Sequence, residues 1–363
     1  MDYTQKNPVP LPELGASESV RGVLDTVFDW QYALEDKKLL ALYEKGKSLS
    51  WNANDLDWST DVDIERLTGL TNIDDFFNNV MQTPQRLTRQ EAITFRLHSN
   101  AFMLSQFLHG EQGALIAAAK IVQTVPTEEA KFYAANQVAD EARHVEVYHR
   151  YLTEKLGVSY AVHPSLSRLL NDIVSDSRWD VTYLGMQIMV EGLALAAFGL
   201  MKVMMQSEPL IQDITSRIMA DEARHVAFGV LSLQKLYTRE LSAKELAERE
   251  EFVIEAAHLM HDRLISEPVF DRLGWDKSLW LPWAKNTPFQ KGFRKMTFSK
   301  IVPNLKRLGL LTPRIREAFE KLDILRYETE RDSVEEPEVM PPAELVELLA
   351  NGLLAQPALS TAE

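Results

Sequence analysis

The pentapeptide DEARH occurs twice in the chain, at Asp140 to His144 and again at Asp221 to His225. In a helix, a Glu and the His three residues after it lie on one face about one turn apart, so a carboxylate and an imidazole can reach the same metal ion. Glu141 with His144, and Glu222 with His225, form two such pairs. The repeat therefore predicts a metal site that two helices build together.

The Glu-x-x-His spacing alone is a weak signal, because the chain contains two more copies, at Glu146/His149 and Glu255/His258. For a single copy, a solvated helix face is the ordinary explanation. The two DEARH copies differ because each has a glutamate about thirty residues upstream, at Glu111 and at Glu191. This spacing indicates an internal repeat of helix, loop and helix.

The surroundings of the two upstream glutamates are almost free of charge. Glu191 is the only charged residue in the segment 181–201, and Glu111 is the only formally charged one in 101–119. An ionised carboxylate in an apolar helix is costly unless it is paired or binds a metal ion. Arg143 and Arg224 could approach from neighbouring helices, but two divalent ions would satisfy all four carboxylates. We therefore predict two metal ions held by Glu111, Glu141, His144, Glu191, Glu222 and His225.

Long helices are needed to position these residues, and the rest of the sequence favours them. Helical apolar spacing with few glycines dominates, whereas strand-like alternation is scarce, so the predicted fold class is all-α. We expect helices near residues 20–47, 88–124, 127–155, 180–206, 209–239, 242–265, 288–300 and 313–325. Residues 1–327 are expected to form a single domain with its core at about 88–240. An acidic, loosely ordered tail is expected at 328–363.

Two of the predicted helices carry a single Glu each, and two carry Glu-x-x-His. This combination resembles the ferritin-like di-iron carboxylate superfamily. The Asp before each motif Glu and the Arg before each His are most similar to the catalytic subunits of bacterial multicomponent monooxygenases. The chain also resembles oxidases like the ribonucleotide reductase small subunit. The resemblance covers residues 88–240 and implies a ferritin-like four-helix bundle core with additional N- and C-terminal helices.

The resemblance also implies a role for each residue of the site. One iron would be bound by Glu111, Glu141 and His144 and the other by Glu191, Glu222 and His225, with Glu141 and Glu222 as bridges. Asp140 and Asp221 would each accept the free imidazole N–H of the His on the opposite motif helix. Arg143 and Arg224 would anchor these aspartates. Tyr148 has the offset from His144 at which the ribonucleotide reductase small subunit carries its radical tyrosine, so a redox role and core packing are alternative hypotheses.

Small or apolar residues accompany the expected ligands in the sequence. They could leave a pocket for an apolar substrate, or they could simply permit close helix packing. These residues are Gly113, Ala114, Ala118, Gly192, Ala194, Leu195 and Phe198.

By the same resemblance, the two ions would be iron, or manganese with iron, and would react with O2 to oxidise a small organic substrate that is at least partly apolar. Hydroxylation, desaturation, carbon–carbon cleavage and N-oxidation remain alternatives, although Ile218 stands where the arylamine N-oxygenases have a third histidine. An iron-handling protein without an organic substrate and a Mn/Fe radical-generating or ligand-binding oxidase are further alternatives. An electron donor such as ferredoxin or a reductase, and a homodimer, are expected.

Composition excludes several other classes of function. The formal net charge of -14 among 363 residues argues against nucleic acid as the main ligand. Without cysteine, there is no disulfide, zinc-thiolate site or cysteine-ligated iron–sulfur cluster. The first twenty residues lack the features of a signal peptide, so a cytoplasmic location is expected. The apolar run at 181–205 is long enough to span a bilayer, but its central glutamate favours a buried bundle helix and no membrane span.

Overall fold

The computed structural model describes residues 17–63, 73–205, 207–263 and 265–336. Within these ranges every regular element is helical, which confirms the all-α class. The α-helices are α1 (Lys37–Ser48), α2 (Ile73–Asp75), α3 (Arg89–Thr124), α4 (Glu128–Arg150), α5 (Pro164–Ser175), α6 (Trp179–Tyr183), α7 (Glu191–Met204), α8 (Pro209–Lys235), α9 (Ala243–Asp262), α10 (Glu267–Leu273), α11 (Lys277–Asn286), α12 (Pro288–Met296), α13 (Ile301–Arg307) and α14 (Pro313–Lys321). π-helical segments are Phe76–Val80 after α2, Tyr151–Leu156 after α4, Leu184–Val190 between α6 and α7, and Leu236–Glu240 after α8.

Local signals set the ends of the two helices that form the first half of the core. Thr88 and Glu91 make a reciprocal capping box at the start of α3, whose last residue comes just before Val125 and Pro126. Thr127 caps α4 by accepting a hydrogen bond from the backbone N–H of Ala130. The helix and its π-helical extension end at Gly157, which adopts a φ of 63°. The predicted bounds of both helices are confirmed.

The second half of the core contains the most apolar helix. α6, the π-helical segment and α7 form one continuous run, Trp179–Met204, with a mean hydropathy of 1.6 in its most apolar part. By length and composition this run could cross a membrane, but 94% of that part is buried inside the protein. Glu208 then caps α8 by accepting from the backbone N–H groups of Leu210 and Ile211.

Four long helical runs therefore form the bundle that the pattern of glutamates and histidines predicts. α3 packs along α4, and α7 packs along α8. α1 lies across α4 and α8, while α5 joins α3 to α9. The remaining C-terminal helices pack around this core, so the described chain has a ferritin-like core with additional helices at both ends.

Three expectations about the flanking regions were wrong. The first helix begins at Lys37 rather than near residue 20, because the Asp36 carboxylate caps it and residues 17–36 are mostly exposed, without an apolar face to bury. No helix was expected between residues 265 and 288, yet the stretch with Trp280 and Trp283 is helical, since Asp276 caps α11. The ordered chain also continues beyond residue 327, where Asp332 pairs with Arg307. The rest of the predicted tail, 337–363, lies outside the described residues.

Candidate metal centre

The six predicted ligands are all buried, and their polar atoms meet between the four core helices. The Nδ1 atom of His144 lies 3.2 Å from Oε2 of Glu111 and 3.2 Å from Oε1 of Glu222. It is also 3.3 Å from Oε2 of Glu141, one turn earlier on α4. Side chains from three helices thus surround a single imidazole nitrogen.

His225 occupies the equivalent position on α8. Its Nδ1 atom lies 3.1 Å from Oε1 of Glu141 and 3.6 Å from Oε1 of Glu222. Glu191 completes this side of the cluster, because its ligand atom lies within 4.8 Å of those of Glu141 and His225. The structure therefore brings the two DEARH motifs face to face.

These atoms fall into two overlapping groups that could each hold a metal ion. One consists of Glu111, Glu141, His144 and Glu222, and the other of Glu141, Glu191 and His225. Glu141 belongs to both groups, and Oε1 of Glu222 lies near both imidazoles. This is the arrangement that two bridging carboxylates would give.

The imidazoles are oriented by aspartates from the opposite motif helix. The Nε2–H of His144 donates to Oδ2 of Asp221 at 3.1 Å, and the Nε2–H of His225 donates to Oδ2 of Asp140 at 3.2 Å. With the proton held on Nε2, the Nδ1 lone pair of each ring is free to bind a metal ion.

Two arginines hold the aspartates in turn. Arg143 donates to Asp140, and Arg224 donates to Asp221, each one turn away on its own helix. Each aspartate therefore joins an arginine on its own helix to a histidine on the other. The two arginines are thereby engaged with the aspartates rather than with the four glutamates.

The electrostatics of the cluster are those of a site that needs cations. Burial, with the nearby carboxylate of Glu222, raises the pKa of Glu111 and of Glu191 well above the usual range. Burial alone would lower the pKa of His144 and His225, but the neighbouring carboxylates, Glu111 and Glu141 respectively, raise it well above the ordinary value. Without metal ions the cluster therefore retains protons.

The free atoms of the cluster fit two divalent ions. Buried atoms without a hydrogen-bond partner among the described residues include Oε2 of Glu141, Oε2 of Glu191 and both carboxylate oxygens of Glu222. Four carboxylates would balance the charge of two divalent ions, and buried polar groups ordinarily have partners. Oxygen ligands with two imidazoles suit iron or manganese better than magnesium or calcium. The residues present therefore fit a dinuclear metal centre.

Two side chains that bear on the cluster were missed in the sequence. Gln137 donates from Nε2 to Oε1 of Glu141 at 3.0 Å and to Oε1 of Glu191 at 2.9 Å, so it links ligands from two helices. Its position one helical turn before Glu141 could have indicated this contact. Trp51 donates from Nε1 to Oδ2 of Asp221, but it comes from the segment between α1 and α2, where no periodicity pointed to the site.

A cavity of about 10 Å³ adjoins the cluster, with Glu111, Glu191 and Glu222 in its wall. This volume is enough for one water-sized molecule. Of the seven small or apolar residues considered above, Ala114 and Ala194 line this cavity, because each follows a glutamate by three positions on the same helix face.

The other five residues pack elsewhere. A Cβ atom on Gly113 would meet Leu170 of α5, and one on Gly192 would meet Ile301. Ala118 is fully buried two turns beyond Glu111. Leu195 packs on Val226, and Phe198 packs on Phe107.

Tyr148 is completely buried next to the cluster. Its ring stacks on Phe198, and its hydroxyl has no hydrogen-bond partner within the described residues. Burial, together with the nearby Glu111 carboxylate, raises the pKa of Tyr148 well above its ordinary value. The two further Glu-x-x-His pairs, in contrast, are exposed at all four positions.

No protein-family model matches the chain, and no curated protein matches it. Similar solved structures include an R2-like ligand-binding oxidase with an aerobically reconstituted metal cofactor after photoconversion, at 16% identity and a TM-score of 0.48, covering 75% of this chain and 93% of that one. A point mutant of such an oxidase with an anaerobically reconstituted Mn/Fe cofactor has 17% identity, a TM-score of 0.47 and the same coverage. Both TM-scores lie below 0.5, so the chemistry of this site has to be inferred from its own side chains.

Proposed function

We propose that the protein is an oxidoreductase that uses a dinuclear metal centre and O2 to oxidise a small organic substrate. The observation that carries this proposal is the buried cluster of four glutamates and two histidines, in which both Nδ1 atoms face the centre and both Nε2 atoms are held by aspartates. When bound, two iron ions, or one manganese and one iron, would supply the electrons for reduction of O2.

The residues of this chain would then have separate tasks. Glu111 and His144 would hold one ion, Glu191 and His225 the other, and Glu141 and Glu222 would bridge them. Asp140 and Asp221 keep the imidazoles in one tautomer, and Gln137 fixes the position of Glu191. This rigidity favours chemistry over transport of ions through the site.

The small size of the first cavity also supports an oxidase. This cavity has room for a molecule of about the size of water, and its lining combines apolar residues such as Phe107, Val190 and Ala194 with the polar side chains of Gln106 and Arg263. Exclusion of water protects a reactive oxidant from side reactions. If one oxygen atom is inserted into a C–H bond, the other leaves as water with two protons and two electrons. We propose an external donor such as ferredoxin for these electrons.

Metal content is the first test of this function. Protein produced with both iron and manganese available should bind two ions per chain, and Glu222→Ala should bind fewer. Glu146→Ala is the matched control, because Glu146 has the same Glu-x-x-His spacing on α4 but is exposed. A variant at Glu222 that still binds two ions would contradict the assignment.

Reaction with O2 is the second test. The reduced, metal-loaded protein should consume about one O2 per dinuclear centre. Uptake of many irons per chain with formation of a ferric mineral would instead identify an iron-handling protein.

A further inference from the structure

A second cavity lies beyond the first one, and several buried polar atoms around it lack partners among the described residues. Its volume is about 90 Å³, and α3, α7 and α12 supply most of its walls. The linings of the two cavities are one helical turn apart on both helices. On α7, Ala194 lines the first cavity and Ala197 lines the second; on α3, Phe107 lines the first cavity and Met103 lines the second. The two cavities therefore follow each other along the groove between α3 and α7.

The end of the second cavity furthest from the cluster is polar. Arg96, Ser99 and Asn100 of α3 face it together with Gln290 of α12. Each has a buried side-chain atom without a hydrogen-bond partner in the described part of the chain, namely Nε, Oγ, Nδ2 and Oε1 respectively. Asn100 is only 2% exposed. Buried polar groups in folded proteins are rarely left unpaired, so four around one space point to a missing partner.

The charge and donors of these residues specify the chemistry of that partner. No carboxylate within the described residues pairs with Arg96, and the only perturbation of its pKa is burial, which lowers it to about 10, so the guanidinium is charged at neutral pH. Arg96 as a whole is partly exposed, and its Nε atom is buried without a partner among the described residues. Arg96, Ser99 and Asn100 offer N–H and O–H donors, which match a carboxylate. One guanidinium suits a single negative charge better than a phosphate dianion.

The rest of the cavity is apolar and lies on the side of the metal cluster. Phe102, Met103, Met201 and Phe293 contribute to this wall. Methionine side chains adapt to ligands of irregular shape. A ligand with a carboxylate at Arg96 and an apolar body would thus place its apolar part towards the metal centre.

We propose that this second cavity binds an organic carboxylate with an apolar body, whose anionic end contacts Arg96 and Asn100. The inference that this carboxylate is the substrate rests on the proposed oxidase function. The inference that the cavity binds a carboxylate does not. Arg96 is a specificity residue, since it would hold the end of the substrate that does not react.

Binding to the metal-free protein tests the site separately from the metal centre. Hexanoate and 1-hexanol are suitable calorimetric probes, because they share an apolar chain and differ in the charged end. We expect hexanoate to bind at least about tenfold more tightly than 1-hexanol, as a charge-assisted hydrogen bond to the Arg96 guanidinium would provide. Equal affinities for the two probes would overturn the proposal.

Arg96→Met is the first variant, with Arg239→Met as the control for loss of one positive charge at an exposed position. We expect Arg96→Met to remove the preference for hexanoate without a large loss of stability, because Arg96 is partly exposed and no described carboxylate pairs with it. Arg239→Met should retain the preference. Retention by Arg96→Met would overturn the proposal.

Asn100→Asp supplies the missing anion within the protein. Residue 100 lies one helical turn from Arg96 on the same cavity wall, so an aspartate there can pair with the guanidinium. We expect a higher melting temperature and loss of hexanoate binding. A variant that is no more stable and still binds hexanoate would show that Arg96 does not bind a carboxylate in this cavity. If these binding results hold but two metal ions are not found, the site stands and only the oxidase function fails.

Discussion

The indole Nε1–H of Trp51 donates a hydrogen bond of 2.8 Å to Oδ2 of Asp221. The same oxygen accepts the Nε2–H of His144 at 3.1 Å, so a residue between α1 and α2 is connected to the metal cluster on the bundle axis. The indole ring also stacks on the imidazole of His144, with 6.4 Å between the ring centroids. The N-terminal segment thereby contributes to the site as well as to packing.

Replacement of Trp51 by Phe should weaken metal binding. Loss of the indole donor leaves Asp221 held by Arg224 without its second donor, so the carboxylate that orients the His144 imidazole is less firmly fixed. We expect about tenfold lower affinity for the metal, the lower end of the effect seen for groups that orient ligands. Competition with a chromophoric chelator measures it. Trp58→Phe is the control, since the Trp58 indole donates to the carbonyl of Ala53, away from the cluster. Equal losses in both variants would indicate a general effect on stability.

The stability of the metal-free protein should fall as pH rises. The folded-state pKa values of Glu111, Glu191, His144 and His225 are all raised, so the folded protein keeps protons that the unfolded chain releases. Their stabilisation is complete below the unfolded pKa, 4.5 for Glu and 6.5 for His, and is lost as pH rises through the folded pKa. Asp221, whose pKa is lowered to about 2, acts in the opposite direction and only at acidic pH.

Melting temperatures of chelator-treated and metal-loaded protein test this dependence between about pH 5 and pH 8.5. Metal binding requires release of the same protons, so metal should stabilise the protein most at the alkaline end. The double variant Glu111→Gln, Glu191→Gln removes two of the four groups and should show a shallower decline. A metal-free protein that becomes more stable above pH 6.5 would be inconsistent with the retained protons.

Much of the core could be predicted because its signals are local. The Thr88 capping box and the segment 181–201, with Glu191 as its sole charge, are visible in short windows of sequence. The same holds for the paired motifs, whose Glu and His must share a face in any helix. Burial of a lone glutamate then indicated the need for a cation before any contact was known.

Contacts between distant segments could not be predicted in this way. Trp51 meets Asp221 across 170 positions of sequence, and no spacing rule covers such a pair. Arg96 looks like an ordinary polar residue of an amphipathic helix until the arrangement of α7 and α12 shows that its guanidinium is unpaired. The start of α1 was also misplaced, since it depends on whether residues 17–36 have a surface to pack against.

Removal of the Tyr148 hydroxyl should stabilise the metal-free protein. This hydroxyl is buried without a partner, and such a group costs about 1–3 kcal/mol, so Tyr148→Phe should raise the free energy of unfolding by about 1 kcal/mol. Tyr237→Phe is the control, because the Tyr237 hydroxyl donates to Oδ2 of Asp180 at 3.0 Å and its loss should destabilise by about 1 kcal/mol. Denaturant titration distinguishes the two signs. A destabilised Tyr148→Phe would mean that the hydroxyl has a partner in solution.

α8 lies close to the π-helical segment before Glu191, so position 229 should not tolerate a side chain larger than that of glycine. A Cβ atom at Gly229 would lie 2.6 Å from Cβ of Gln187, which cannot move without the backbone that leads to Glu191. We expect Gly229→Ala to destabilise the protein by about 1–3 kcal/mol, the usual cost of overpacking, and to lower metal occupancy.

Gly110→Ala is the matched control for Gly229→Ala. Nothing lies within 4 Å of an added Cβ at Gly110, in the middle of α3 and next to the ligand Glu111. There the lower entropy of the unfolded chain dominates, so we expect a gain of about 0.5–1 kcal/mol with metal content unchanged. Denaturant titration and metal analysis of both variants give the comparison. If the two alanine variants were equally stable, α8 and the π-helical segment would not be in close contact at Gly229.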